Sequence, residues 1–108
     1  MTNHRFTKQI GEKFYIEADF SDNIASTETV VIGNSSVTAT DALGVNVSFG
    51  QPNAVLTDTL AVSASGDGLI VRVTAGAEAT SPYKITFLME TSLGNVWELD
   101  VQMTIAQI

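Results

Sequence analysis

Apolar and polar residues alternate through the last quarter of the chain more regularly than anywhere else. Tyr83, Ile85, Phe87 and Met89 share one parity, and Trp97, Leu99, Val101, Met103 and Ile105 repeat it, with Glu98, Asp100, Gln102 and Thr104 between them. A period of two places one set on each side of a pleat, so the segment predicts an antiparallel hairpin buried on one face. Parity also constrains the register, because a one-residue slip would send every apolar side chain to the wrong face. Pairing Thr91 with Val96 sets Phe87 against Asp100, whereas pairing Met89 with Leu99 matches Phe87 to Val101 and Ile85 to Met103. The expected loop is then the three residues Leu93-Gly94-Asn95, with Gly94 or Asn95 supplying the positive φ such a loop needs.

The same reading extends toward the N-terminus. Phe14, Ile16, Ala18 and Phe20 alternate with Tyr15, Glu17 and Asp19, which predicts a half-buried strand over 13–20 ended by the turn chemistry of Ser21-Asp22-Asn23. The β-branched run Thr29-Val30-Val31-Ile32 predicts another strand, stopped by Gly33-Asn34. Val37-Thr38-Ala39-Thr40 and the alternation of Val45, Val47 and Phe49 predict short strands or one bent strand before Gly50-Gln51-Pro52-Asn53. Leu60, Val62 and Ala64 face Leu69, Val71 and Val73 across Ser65-Gly66-Asp67-Gly68. Pairing Ala64 with Leu69 makes that a hairpin with Gly66-Asp67 as a two-residue loop.

About seven short strands, turns at close spacing and no helical periodicity predict an all-β fold. The expected architecture is an antiparallel β-sandwich of the immunoglobulin-like kind, with a small β-barrel as the alternative. Its expected core comprises Phe14, Ile16, Phe20, Val31, Val47, Val62, Val71, Ile85, Phe87, Trp97, Leu99 and Val101. Tyr83 follows Ser81-Pro82 at the start of the penultimate strand, where a tyrosine corner would fasten the crossing between sheets. Tyr83, Trp97 and Gly94 are therefore read as structural residues.

Composition bounds the rest. A chain of 108 residues is one domain, and at that size roughly 65% of the unfolded chain's surface is buried on folding. Cysteine is absent, which removes disulfides and thiolate ligands. No apolar run approaches the roughly 20 residues that a helix needs to cross a bilayer. The start lacks the apolar stretch of a signal peptide, so secretion by that route is not expected. The sequons Asn34-Ser35-Ser36 and Asn46-Val47-Ser48 then carry no meaning. The chain ends at Ile108 directly after a predicted strand, as a complete protein would.

Charge is uneven. Five Lys and Arg stand against twelve Asp and Glu, for a net charge of −7, and three of the five cations, Arg5, Lys8 and Lys13, lie near the N-terminus. Only Arg72 and Lys84 remain for the body, too few for a phosphate-binding groove, so no nucleic-acid partner is expected. Residues 1–12 read as an N-terminal arm, partly extended or mobile, and 13–108 as the sandwich. The arm either docks on the acidic face of a neighbouring copy or is a solvated end.

Catalytic chemistry is sparse. His4 is the only histidine, and no catalytic triad can be assembled around it. The carboxylate pairs Glu17/Asp19 and Glu98/Asp100 have the spacing of a pleat's solvent side. Glu17, Asp19 and Asp22 are the one candidate calcium set, although calcium takes about six to eight oxygens and no loop here resembles a dedicated calcium loop. Gly66-Asp67-Gly68 is a turn, because a phosphate cradle opens a helix and here a strand follows. No catalytic residue, no cofactor and no bound metal is expected.

Several short motifs, taken in order, resemble a known family. They are Arg5-Phe6-Thr7-Lys8, Asp22-Asn23-Ile24-Ala25-Ser26, Ile70-Val71-Arg72-Val73-Thr74-Ala75-Gly76, Tyr83-Lys84-Ile85-Thr86, Thr91-Ser92-Leu93-Gly94 and Glu98-Leu99-Asp100-Val101. Their order is similar to that in the small immunoglobulin-like virion proteins of tailed bacteriophages and prophages, of the fiber-tail adaptor or head-tail accessory type. The chain departs from that pattern at Thr27-Glu28-Thr29, where an aromatic residue is expected, and in a longer stretch from Asp41 to Asp58. The resemblance implies a non-enzymatic structural subunit that binds other phage structural proteins, and copies of itself in the assembled particle. It also implies residence in the bacterial cytoplasm during assembly and then in the virion, with no membrane or nucleic-acid partner. Arg5, Phe6 and Lys8 are the expected interface residues. The competing class is a binding module of the bacterial surface, an adhesin or carbohydrate-binding domain.

Overall fold

A computed structural model describes residues 4–107. Seven strands are present among them: β1 (His4–Lys8), β2 (Phe14–Asp19), β3 (Ser36–Thr40), β4 (Leu56–Val62), β5 (Gly68–Val73), β6 (Tyr83–Glu90) and β7 (Val96–Ile105). Single 3-10 turns occupy Ile32–Asn34 and Glu78–Thr80. One sheet has the order β1-β7-β6-β3 and the other β2-β5-β4. Two facing sheets connected in this way form an immunoglobulin-like sandwich and not a closed barrel.

Alternation along the strands builds the core. Ile85, Phe87 and Met89 on β6 are fully buried, as are Leu69, Val71 and Val73 on β5, and Met103 on β7. Ala18, Phe20, Val37, Ala39, Val47, Val55 and Leu56 complete the contact between sheets. Phe14 and Ile16 pack against this core while remaining partly exposed, because β2 is a sheet edge.

The C-terminal hairpin has the parity read from sequence with the register moved by two residues. Phe87 pairs with Leu99 and Ile85 with Val101. The Thr91 amide donates to the Asn95 carbonyl, and the Gly94 amide to the Thr91 carbonyl, so the three-residue loop is Ser92-Leu93-Gly94. Gly94, at φ 82°, takes the left-handed position that closes such a loop. The β4-β5 hairpin is also displaced by two: Val62 pairs with Leu69, and Ser63 bonds to Gly68. Its loop is therefore Ala64-Ser65-Gly66-Asp67 instead of Gly66-Asp67. Gly68 sits where a Cβ would lie 2.4 Å from the Ala18 carbonyl oxygen, so this position must be glycine for β2 and β5 to pair.

Other expectations change more. Thr29 to Ile32 is not a strand. It is tied to the end of the last hairpin by a bridge between Val30 and Thr91, and by the Val31 amide donating to the Glu90 carbonyl, before turning at Ile32–Asn34. Val31 is accordingly only half-buried. Val45 to Phe49 is also irregular, because the Ser48 hydroxyl accepts from the Ala39 amide where a backbone carbonyl would act in a ladder. Trp97 has the predicted parity and pairs with Met89, yet it is 37% exposed. It lies on β7 beyond His4, whose partner is Val101, and so at the open end of the sandwich.

The segment expected as an arm is extended from His4 onward and built into the sheet. It pairs in parallel with β7, from His4 opposite Val101 to Lys8 opposite Ile105. A boundary at residue 13 thus falls inside the sandwich.

Gly68→Ala is expected to destabilise the fold by about 2 kcal/mol or more through overpacking against backbone that cannot yield. Gly33→Ala, with no atom within 4 Å of the added carbon, serves as the near-neutral control. Urea unfolding of both variants checks the contrast.

Candidate functional site

The two long sides of the sandwich differ. On the β3/β4 side, the chain bridges the sheets through its backbone: the Val47 amide donates to Ala39, Val55 to Val47 and Thr74 to Val55, each at 2.9 Å. On the β1/β2 side, no such bridge joins the sheets among the described residues. A cleft of about 450 Å³ runs there between β1 and β2, floored by Phe6, Phe14, Ile16, Leu99 and Val101. A second cleft of about 660 Å³ continues past the end of β1 to Phe20, Asn23, Val96 and Trp97. The two share His4, Asp19 and Leu99, so they form one open side.

Carboxylates dominate its rim. Glu17, Asp19, Asp22 and Glu98 line the two clefts, against the single guanidinium of Arg5. The Ser21 amide donates to Asp19 Oδ1 at 2.9 Å, and this bond and a further one from Ser21 hold the Asp19 carboxyl below its ordinary pKa. Among the described residues, no three of His, Asp and Glu come together as a ligand set for a metal. Glu17, Asp19 and Asp22 share the open side without converging on a common point.

The three expected interface residues have three different positions. Arg5 is exposed. Phe6 turns inward and meets the Phe14 ring edge-on, with centroids 5.7 Å apart. Lys8 is completely buried, and its Nζ donates to the carbonyls of Ala75 (2.6 Å), Gln9 (2.8 Å) and Ile10 (3.1 Å). Burial lowers the Lys8 pKa, opposed by the field of Glu12. Ala75 holds φ at 54°, an unusual value for a residue with a Cβ, in the turn that presents its carbonyl to Lys8. Lys8 is thus a clip between the end of β1 and the β5-β6 crossing, and is not available to a partner.

Tyr83 works on the same crossing. Its hydroxyl accepts from the Ala77 amide at 2.9 Å and lies 2.5 Å from Thr80 Oγ1, the geometry of a tyrosine corner. At the opposite end, Glu28 is buried and accepts from the Ala25 amide, the Thr91 hydroxyl and the Asn95 side-chain amide. These bonds, that from Thr91 foremost, hold the Glu28 carboxyl below its ordinary value. Sequence reading gave Lys8 to the interface instead of to this clip, and it missed Glu28. For Lys8, the alternation of His4, Phe6 and Lys8 was a usable signal, since it puts all three on one face.

Sheet edges differ in protection. β3 is partly covered by Val47 and Ser48. β4 is broken by a register shift between Thr57 and Ala61, with Asp58 at φ 64°. Such bulges and covers block edge-to-edge pairing, as do lysine and proline on an edge. β2 has no bulge, cover, lysine or proline: its sequence Phe-Tyr-Ile-Glu-Ala-Asp is regular, with only the carboxylates of Glu17 and Asp19 as edge charges, and among the described residues it pairs only with β5.

No family model matches the chain, and no curated protein does. Among solved structures, 22 chains match. One is the N-terminal Ig1-2 module of the Drosophila receptor protein tyrosine phosphatase DLAR, with a TM-score of 0.51 and 14% identity. The match covers 97% of this chain and 46% of the other, so this chain spans about half the length of that neighbour. At that identity the likeness shows the fold alone.

Two outcomes are expected for the clips. Lys8→Met should cost about 2–3 kcal/mol, because buried carbonyls lose their donor, whereas Arg5→Met should change unfolding little. Glu28 stabilises the fold above its unfolded pKa, and that contribution disappears as pH falls through its lowered native value. Glu28→Gln should therefore flatten the acid limb of stability against pH, as thermal unfolding over a pH series would show.

Proposed function

We propose that this chain is a non-enzymatic binding module acting through protein-protein contacts. Specifically, we read it as an adaptor or accessory subunit in the particles of a tailed bacteriophage or prophage. The observation that carries the coarser reading is the asymmetry of the immunoglobulin-like sandwich. One long side is closed by its own backbone, and the other has an apolar floor, an acidic rim and a regular, uncovered edge strand. The finer reading draws on the ordered motifs from Arg5-Phe6-Thr7-Lys8 to Glu98-Leu99-Asp100-Val101. Its partners would be other structural proteins of the particle, met in the bacterial cytoplasm during assembly, and further copies of this chain.

Trp97 favours a second reading, a carbohydrate-binding or adhesive module of the bacterial surface. Its ring is partly exposed in a cleft that also contains Asp19, Asp22, Asn23 and Glu98, and an aromatic ring beside polar groups is a usable sugar platform.

Quantitative mass spectrometry of particles purified after prophage induction separates these readings. The subunit reading expects this chain at a fixed multiple of the other particle proteins, and particles that assemble without it would contradict that reading. Trp97 fluorescence should stay unchanged on adding oligosaccharides. A saturable shift, lost in Trp97→Ala, would favour the surface module.

A further inference from the structure

The geometry points to the occupant of the open side: one extended peptide strand, alternating apolar and basic residues, that adds to the free edge of β2 and seats its apolar side chains between β2 and β1. This inference rests on the protein-binding reading and names the chemistry of the partner.

Backbone geometry supplies the first element. In a strand paired on one side, alternate N–H and C=O groups point away from the sheet and remain available to another strand. β2 is six residues long and regular, so at about 3.3 Å per residue it offers an edge of roughly 20 Å. Its pairing with β5 is continuous from Phe14 opposite Val73 to Asp19 opposite Gly68, which holds the edge straight. Pairing by edge addition draws affinity from main-chain bonds and specificity from pockets for alternate side chains.

The floor supplies the second. Phe14 and Ile16 face inward without full cover, and Phe6, Leu99 and Val101 approach from the facing sheet. Every second residue of an added strand would meet this apolar strip. The wider cleft past the end of β1, beside Trp97, leaves room for a larger side chain.

Charge selects the occupant. Among the described residues lining the open side, Glu17, Asp19, Asp22 and Glu98 stand against Arg5 as the one fixed cation, on a chain of net charge −7. A second copy adding β2 to β2 would bring Glu17 and Asp19 near their counterparts, and like charges facing each other across strands are destabilising. Lysine or arginine on the outward parity of the incoming strand would instead meet these carboxylates. Arg5 on β1 turns the same strand toward β2 and away from β1.

The test titrates the full chain with two capped peptides of about seven residues, a length matched to this edge. One alternates lysine with valine and isoleucine, and the other has glutamate in place of lysine. The expected result is amide shifts and slowed hydrogen exchange confined to 14–19 and neighbouring residues of the cleft. The lysine peptide should bind at least about tenfold more tightly, with a preference that weakens as salt rises. The double variant Glu17→Lys with Glu98→Lys alters exposed positions only and should reverse the preference. Equal binding of both peptides, shifts centred on β3 or β4, no binding, or self-association through β2 would each overturn the inference. Failure here, with the chain still present at fixed stoichiometry in particles, would remove this occupant and leave the subunit reading standing. A peptide that binds as expected, with particles that assemble without the chain, would do the reverse.

Discussion

The ammonium of Lys8 ties the end of the first strand to the crossing between the two sheets. Three carbonyls, those of Gln9, Ile10 and Ala75, surround it at the end of β1. A buried ammonium without such partners would be costly, so the contact is all or nothing. The clip ties the end of β1 to the crossing between β5 and β6, while the ladder with β7, continued by the Ala106 amide donating to the Lys8 carbonyl, holds the strand beside the β6-β7 sheet. β1 pairs with β7 in parallel, and among the described residues β2 is left with one neighbour. The open side of the molecule follows from that allocation.

Around this constraint, the two ends of the sandwich are fastened by different chemistry. One end has the Lys8 ammonium and the Tyr83 hydroxyl, both bonding to the chain between β5 and β6. The other has the Glu28 carboxylate, which joins the turn at Ala25 to the loop after β6 through Thr91 and Asn95. Without cysteine, these polar clips take the positions where a small domain could use a cross-link, and the remaining stability comes from packing. Ion pairs add little: Lys84 with Asp100 and Arg72 with Asp58 lie at 3.7 and 3.5 Å on exposed faces.

Much of the fold is legible in the apolar alternation, and its failures have definite causes. Parity survives in both hairpins because one face must be dry, but a slip of two residues preserves parity and is settled by loop chemistry. Gly94 has to occupy the last loop position, which sets the register of the C-terminal hairpin, and Gly68, opposite Asp19, has to be glycine because a Cβ there would meet the Ala18 carbonyl oxygen of β2. Alternation reports which face a side chain takes and not how much lies above it, which is why Trp97 was assigned to the core. The candidate surface was less legible. Arg5, Phe6 and Lys8 are adjacent in a basic segment, yet the pleat sends Phe6 and Lys8 inward, and the free edge of β2 becomes visible only when the partner of β1 is known.

Hydrogen exchange of the β2 amides in dilute solution tests this account most directly. If β1 is committed to β7, the β2 amides that face β5 should be protected and the alternating set between them should exchange rapidly. Uniform protection from Phe14 to Asp19 would contradict it, because β2 would then have a second neighbour, whether β1 or another molecule.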